Sequence, residues 1–385
     1  MPDVAFTVLA PMRQGVLCCA LLLLLTAGCS PVRAVDSAVL LADFEAGEGP
    51  SRLKETTPAP RRLVRHYEVA GRAHEGDLYL PGEPARAALV LVPGVTPEGK
   101  DDPRLVSFAK GLARARFVVL VPDIENLKVL KVSASDARNI GDAVQYLAAS
   151  PEVPSDFPLG IVAVSYAVGP AVLAALRHKE RPVDFLVAIG GYYDMEAMIA
   201  FTTTGFYRDG GSWRRLAANA YGKWIFLQSN ADRLADPVDR DALAAMAARK
   251  LRDPDADIDD LAARLGPEGR AVHDLLRNRV PERVATLLDA LPLAIRDEIH
   301  ALNLARQALD GLTARVILVH GRDDSVVPFG ESRALAAAFS PGQAELFLVD
   351  SLAHVDLGPA GLDDTLTLWR AVYRLLEARD RAALP

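Results

Sequence analysis

Pro158–His178, PLGIVAVSYAVGPAVLAALRH, decides the fold. Its first half is an apolar run, Ile161-Val162-Ala163-Val164, that stops at a single hydroxyl, Ser165. Its second half passes directly into small residues at helical spacing, among them Ala167, Ala171, Ala174 and Ala175. Strand, serine and helix with no loop between them pin the hydroxyl on a tight turn. The turn lies above the carboxyl end of the strand and faces the positive end of the helix dipole. A serine at such a junction also serves as a plain helix cap. The rest of the chain has to decide between the two roles.

Outward from this stretch, buried strands alternate with helices. Apolar runs at 86–95, 117–123, 183–191, 314–321 and 344–350 read as strands covered on both faces, as in a parallel sheet. Helical patterns fall at 103–115, 132–149, 331–339 and 362–379. Two alternating segments, Leu63–Val69 and Gly76–Leu80, turn around Ala70-Gly71 as an antiparallel hairpin that opens the sheet. The order implies a mostly parallel, doubly wound α/β sheet with right-handed crossovers. From 192 to 309 the strand signal stops, and a helical segment rich in Ala, Leu, Arg and Asp takes its place.

With 385 residues, half of them hydrophobic, the chain can bury one large core or two ordinary ones. A formal net charge of −7 without any basic stripe excludes nucleic acid as a partner. The apolar run Val16–Leu25 is too short to span a bilayer and matches a secretory leader; Met12 is an alternative start. Leu25-Thr26-Ala27-Gly28-Cys29 resembles a bacterial lipobox. That resemblance implies a signal peptide over 1–28, cleavage after Gly28 and a lipid anchor on Cys29. Ser30 after the cysteine implies the outer membrane, facing the periplasm. An ordinary signal peptide or an uncleaved anchor is the alternative. All three cysteines (Cys18, Cys19, Cys29) lie here, so the body has no disulfide, thiol nucleophile or cysteine metal ligand. Residues 29–60 mix Pro, Gly and charge and read as a tether, with Val39–Leu41 as a short apolar patch.

Ala163-Val164-Ser165-Tyr166-Ala167 resembles the G-x-S-x-G nucleophile elbow of the α/β-hydrolase superfamily, with alanine at both glycine positions. After the strand at 314–321, Gly321-Arg322-Asp323-Asp324-Ser325-Val326-Val327-Pro328 resembles the stretch that carries the family's acid. His354 follows the last strand, where the family keeps its base. The resemblance covers residues 61–385. It implies an eight-stranded core over 61–191 and 310–385, with a helical lid over 192–309 inserted after the sixth strand. It also implies a catalytic triad of Ser165, Asp324 and His354, with the backbone amides of Val95 and Tyr166 as the oxyanion hole. Asp323 and Asp194 remain alternative acids. The Tyr166 ring either lines the acyl pocket or packs beneath the lid.

The acidic run Asp253–Asp260 lacks the glycine and terminal glutamate of a calcium loop, and no cofactor or metal is implied. The expected reaction is hydrolysis of a small-molecule or lipid carboxylic ester at the cell envelope. A peptidase or acyltransferase of the same fold is one rival. A non-catalytic binding or scaffold protein is another, favoured by the missing elbow glycines.

Overall fold

The computed structural model describes residues 30–381 except 359, so the segment 1–29, including Cys29 and the lipobox reading, lies outside the described residues. Ten strands matter here: β1 (Arg61–Val69), β2 (Arg72–Leu80), β3 (Ala87–Val92), β4 (Phe117–Pro122), β5 (Leu159–Val164), β6 (Phe185–Ile189), β7 (Phe206–Asp209), β8 (Ser212–Arg215), β9 (Arg315–Gly321) and β10 (Ala344–Val349). Eight of them form one sheet in the order β1-β2-β4-β3-β5-β6-β9-β10. β2 runs antiparallel to both β1 and β4, and the remaining pairs are parallel.

The sequence pattern explains both layers. Alternate residues of each central strand feed opposite cores, because side chains of a strand point to opposite faces. Ala88, Val90 and Val92 of β3 join the core under helices Asp136–Ala148 and Val168–Arg177. Leu89 and Leu91 join the core under helices Pro103–Arg114 and Leu362–Asp380. Since both neighbours are apolar, alternation disappears and the strands read as continuous runs. The chain leaves β3 toward β4 and returns on β3's other side as β5. Strand order therefore reverses between β3 and β5, which opens a crevice above their carboxyl ends.

Two expectations need correction. Residues 30–60 are not a tether. Pro31–Ala46 is a helix capped by Ser30, whose hydroxyl accepts from the Arg33 amide, with Pro at its first turn. It packs on the closing helix, where Trp369 Nε1 donates to the Ala34 carbonyl and Arg33 pairs with Asp380 at 3.0 Å. Leu40 and Leu41 are buried in the sheet's core, and Leu53 of the short helix Arg52–Thr56 joins them. The strand signal also does not stop throughout the insertion: β7 and β8 form a hairpin that turns at Gly210-Gly211, both at positive φ.

The insertion after β6 is otherwise helical and owns a separate core, in which Leu227, Leu243, Met246, Val272 and Ile295 are buried together. It is tied to the main body around the crevice. Asn219 N donates to the Ser325 carbonyl at 2.7 Å, Ala134 N to Glu298 at 2.6 Å and Val132 N to Ser229 Oγ at 2.9 Å.

Candidate active site

Ser165 follows the last residue of β5 and starts a 3-10 turn, Ser165–Ala167, that runs without a break into helix Val168–Arg177. Its φ is 57°, a left-handed conformation that costs a non-glycine residue of the order of 1–2 kcal/mol. The turn is held by packing on both sides, with Ala163 and Ala167 buried. Alanine fits both elbow positions because the tightest approaches lie elsewhere. A Cβ at Gly169 would collide with the Tyr192 hydroxyl, and one at Gly191 would sit 2.5 Å from Val168 Cγ1.

The loop after β9 supplies a carboxylate and the loop after β10 an imidazole. Val326 N and Val327 N donate to Asp324 Oδ1 at 2.8 and 2.9 Å, which fixes the carboxylate plane. Its other oxygen, Oδ2, meets His354 Nδ1 at 2.8 Å, and His354 Nε2 meets Ser165 Oγ at 2.7 Å. Nδ1 therefore carries the proton toward the carboxylate, and Nε2 presents its lone pair to the serine hydroxyl. Burial opposes charge on Asp324. Hydrogen bonds from His320 and His354 outweigh that and hold its carboxyl well below the usual range.

The structure thus brings Ser165, His354 and Asp324 into one hydrogen-bonded chain. It does not bring the alternative acids there. Asp323 is exposed, and Asp194 caps helix Met195–Thr204, where it also accepts from Asn303. Gly94, in the loop after β3, lies beside the serine; a Cβ there would be 3.5 Å from Ser165 Cβ. Val95, the next residue, lines the same cavity as Ser165 and His354. The Tyr166 hydroxyl accepts from Ser133 N at 2.9 Å and has Asp136 Oδ2 and the Ser133 carbonyl as acceptors at 3.0 Å, and its ring stacks on Tyr192.

His320 is a site residue that sequence reading left within a strand. Its fully buried ring sits under Asp324, with Nε2 at 2.9 Å from the Val327 carbonyl and 3.3 Å from Asp324 Oδ2. Its Nδ1 lies 2.6 Å from Ser332 Oγ. A hydrophobic run ending in His-Gly ahead of the acid was the available signal.

No family model matches the sequence, and no curated protein matches it. Solved structures do. A hydrolase candidate from Legionella pneumophila is 14% identical, covers 91% of this chain and 96% of its own, and superposes with a TM-score of 0.53. A single-substitution mutant of the rice cell wall degrading esterase LipA from Xanthomonas oryzae is 14% identical, covers 88% and 93%, and gives 0.51. The fold is that of the α/β-hydrolases. At such identities the likeness is one of fold. A likeness to the acylaminoacyl peptidase of Pyrococcus horikoshii is weaker, at 11% identity and a TM-score of 0.46. This chain spans 42% of that longer protein.

In this α/β-hydrolase fold the serine opens into a cavity of about 760 Å³, within the range of small-molecule sites. Most of its wall is hydrocarbon from the core, with Met195, Met198 and Phe226 contributed by the insertion. Lys223 lines it from the same insertion. Burial and the neighbouring Arg279 lower its ammonium to about 8. Among the described residues no cluster of His, Asp or Glu could hold a metal ion, and no helix is long and apolar enough to cross a membrane.

Proposed function

We propose that the protein is a serine hydrolase that cleaves carboxylic esters through an acyl-enzyme. The chain of hydrogen bonds from Ser165 through His354 to Asp324, in the wall of an apolar cavity, carries this reading. Ser165 Oγ attacks the ester carbonyl while His354 Nε2 takes its proton, and Asp324 stabilises the imidazolium without taking the proton. The amides of Val95 and Tyr166 receive the oxyanion. Collapse breaks the acyl–oxygen bond, and His354 returns the proton to the departing alcohol. Water then attacks the acyl-serine with His354 again as base. The carboxylic acid leaves and Ser165 regains its proton. The insertion 192–309 acts as the lid over this reaction.

The same proposal has the enzyme at the cell envelope, held by a lipid on Cys29. That residue directly precedes Ser30, the cap of helix Pro31–Ala46.

Treatment of the protein and its Ser165→Ala variant with a fluorescent phosphonate tests the reading. Labelling of the parent alone is expected. A folded parent that stays unlabelled overturns it in favour of a binding protein. Transfer of the acyl group to an added alcohol or amine in preference to water would instead identify an acyltransferase.

A further inference from the structure

The cavity does not end at the serine. It continues along one face of the sheet, and the two faces of β6 and β9 differ accordingly. Leu186, Ala188, Val316 and Leu318, facing the helices at 136–148 and 168–177, are 0% exposed. On the opposite face Val187 retains 6% and Val319 8%, Ile189 is half-buried, and all three line the cavity together with Ile317. Strand register gives the depth. Val164 pairs with Ile189 and Ile189 with Val319, while Val187 pairs with Ile317 two residues further down. Ile317 is therefore three residues below the level of Ser165, about 10 Å at the rise of a parallel strand.

The facing wall has matching length. Leu368, Ala371, Val372 and Leu375 of the closing helix all line the cavity, at spacings of three, four and seven residues that mark a single helix face. Seven residues of helix cover about 10.5 Å. The third side comes from the helix at 31–46, through Leu41 and Phe44. Phe44 meets Phe108 with ring centroids 4.5 Å apart, closing the wall between two helices. Outside that pair stand exposed Glu45 and Arg104. These two charges are exposed, whereas the lining from the sheet and the closing helix is hydrocarbon.

Resting on the proposed ester hydrolysis, we infer that this passage is an acyl channel and that the substrate is an ester of an unbranched aliphatic acid of medium to long chain. The side chains that line this stretch from the sheet and the closing helix are all hydrocarbon and offer nothing to recognise a peptide, a sugar or a charged acid, while Lys223 reaches the cavity from the insertion. An aliphatic chain gains by leaving water along its whole length. The acyl carbon bonded to Ser165 Oγ sits at the top, and the chain runs down between the sheet and the closing helix. Ala371, the smallest residue on that helix face, leaves the room for the chain to pass midway.

The test uses p-nitrophenyl acetate, butyrate, octanoate and dodecanoate with the full chain in detergent. A buried methylene is worth at most ~0.8 kcal/mol, or ~4-fold in kcat/KM, so selectivity should climb from butyrate toward dodecanoate. Ala371→Phe fills the passage midway. Excluding three methylenes should lower the dodecanoate-to-butyrate ratio by roughly 60-fold at that upper limit, and by tenfold or more in practice. Val187→Phe, from the opposite wall, is read in the same way should Ala371→Phe fail to fold, and phosphonate labelling of Ser165 reports which variants are intact. A parent that prefers acetate and butyrate, or a ratio unchanged in a labelled variant, overturns the channel and leaves ester hydrolysis standing. A folded parent with neither turnover nor label overturns the reading on which the channel rests.

Discussion

Replacing Asp324 by asparagine tests the candidate triad most sharply, because the local geometry dictates which way the new amide must point. Oδ1 of Asp324 accepts from two main-chain amides, Val326 N and Val327 N. Only an oxygen can occupy that position. The NH₂ group that Asp324→Asn introduces is therefore forced to the Oδ2 side, where it faces His354 Nδ1 and His320 Nε2. A donor there requires His354 to expose a lone pair at Nδ1 and to carry its proton at Nε2. That tautomer donates to Ser165 Oγ and cannot take the hydroxyl proton. The loss seen when the orienting carboxylate of such a triad becomes an amide is ~10⁴ in kcat, or ~5 kcal/mol at 1.36 kcal/mol per tenfold.

The assay is hydrolysis of p-nitrophenyl butyrate by the parent, Asp324→Asn and Asp323→Asn, with circular dichroism to show that all three are folded. Asp323→Asn should stay within about threefold of the parent, since that side chain is exposed. An Asp324→Asn enzyme within tenfold of the parent would falsify the orienting role of Asp324. A collapse in Asp323→Asn instead would move the acid one residue back.

Two further expectations concern stability. Glu331 accepts the amides of Tyr193 and Asp194 at 3.0 and 2.8 Å where the chain enters the insertion, and burial raises its carboxyl to about 7. Between its usual value and pH 7 the folded state binds the proton more tightly than the unfolded state does. Stability should therefore fall as pH rises through that interval, by about 3 kcal/mol in all. Urea titrations from pH 4.5 to 7.5 should show that slope in the parent and a flatter profile in Glu331→Gln; parallel profiles would remove Glu331 as its source. Leu40→Ala should cost about 2–5 kcal/mol in the same titrations if helix Pro31–Ala46 is part of the core, whereas a change within error would restore the tether reading.

What the sequence reveals here depends on whether a signal is local. The central strands are legible because a parallel sheet covered on both sides makes each one a solid apolar run, as in Ala87–Val92 and Phe117–Pro122. The positions of Ser165, Asp324 and His354 are legible for a related reason: each lies just past such a run, and strand ends share one edge of the sheet. Helix Pro31–Ala46 is hidden because its partners, Trp369, Tyr373 and Asp380, lie over three hundred residues away. Its outer face leaves Val32 and Val35 exposed, which blurs the periodicity. The β7–β8 hairpin is hidden by its length of four residues per strand, although Gly210-Gly211 marks the turn.

The passage beneath Ser165 was hidden for a deeper reason. No motif encodes it, because it consists of what the side chains on three helices and two strands fail to fill. Val187 and Val319 are ordinary β-branched core residues in sequence, and Ala371 is an ordinary helix former. Their joint effect depends on Leu41 and Phe44 arriving from the other end of the chain to close the third side. The segment that reads as a linker is therefore both a part of the core and a wall of the cavity. Shortening helix Pro31–Ala46 from its amino end should loosen the packing on Trp369 and Tyr373 before it disturbs the geometry at His354. Stability and long-chain selectivity would then decline together, while the serine, imidazole and carboxylate, held by the loops after β5, β9 and β10, kept their spacing.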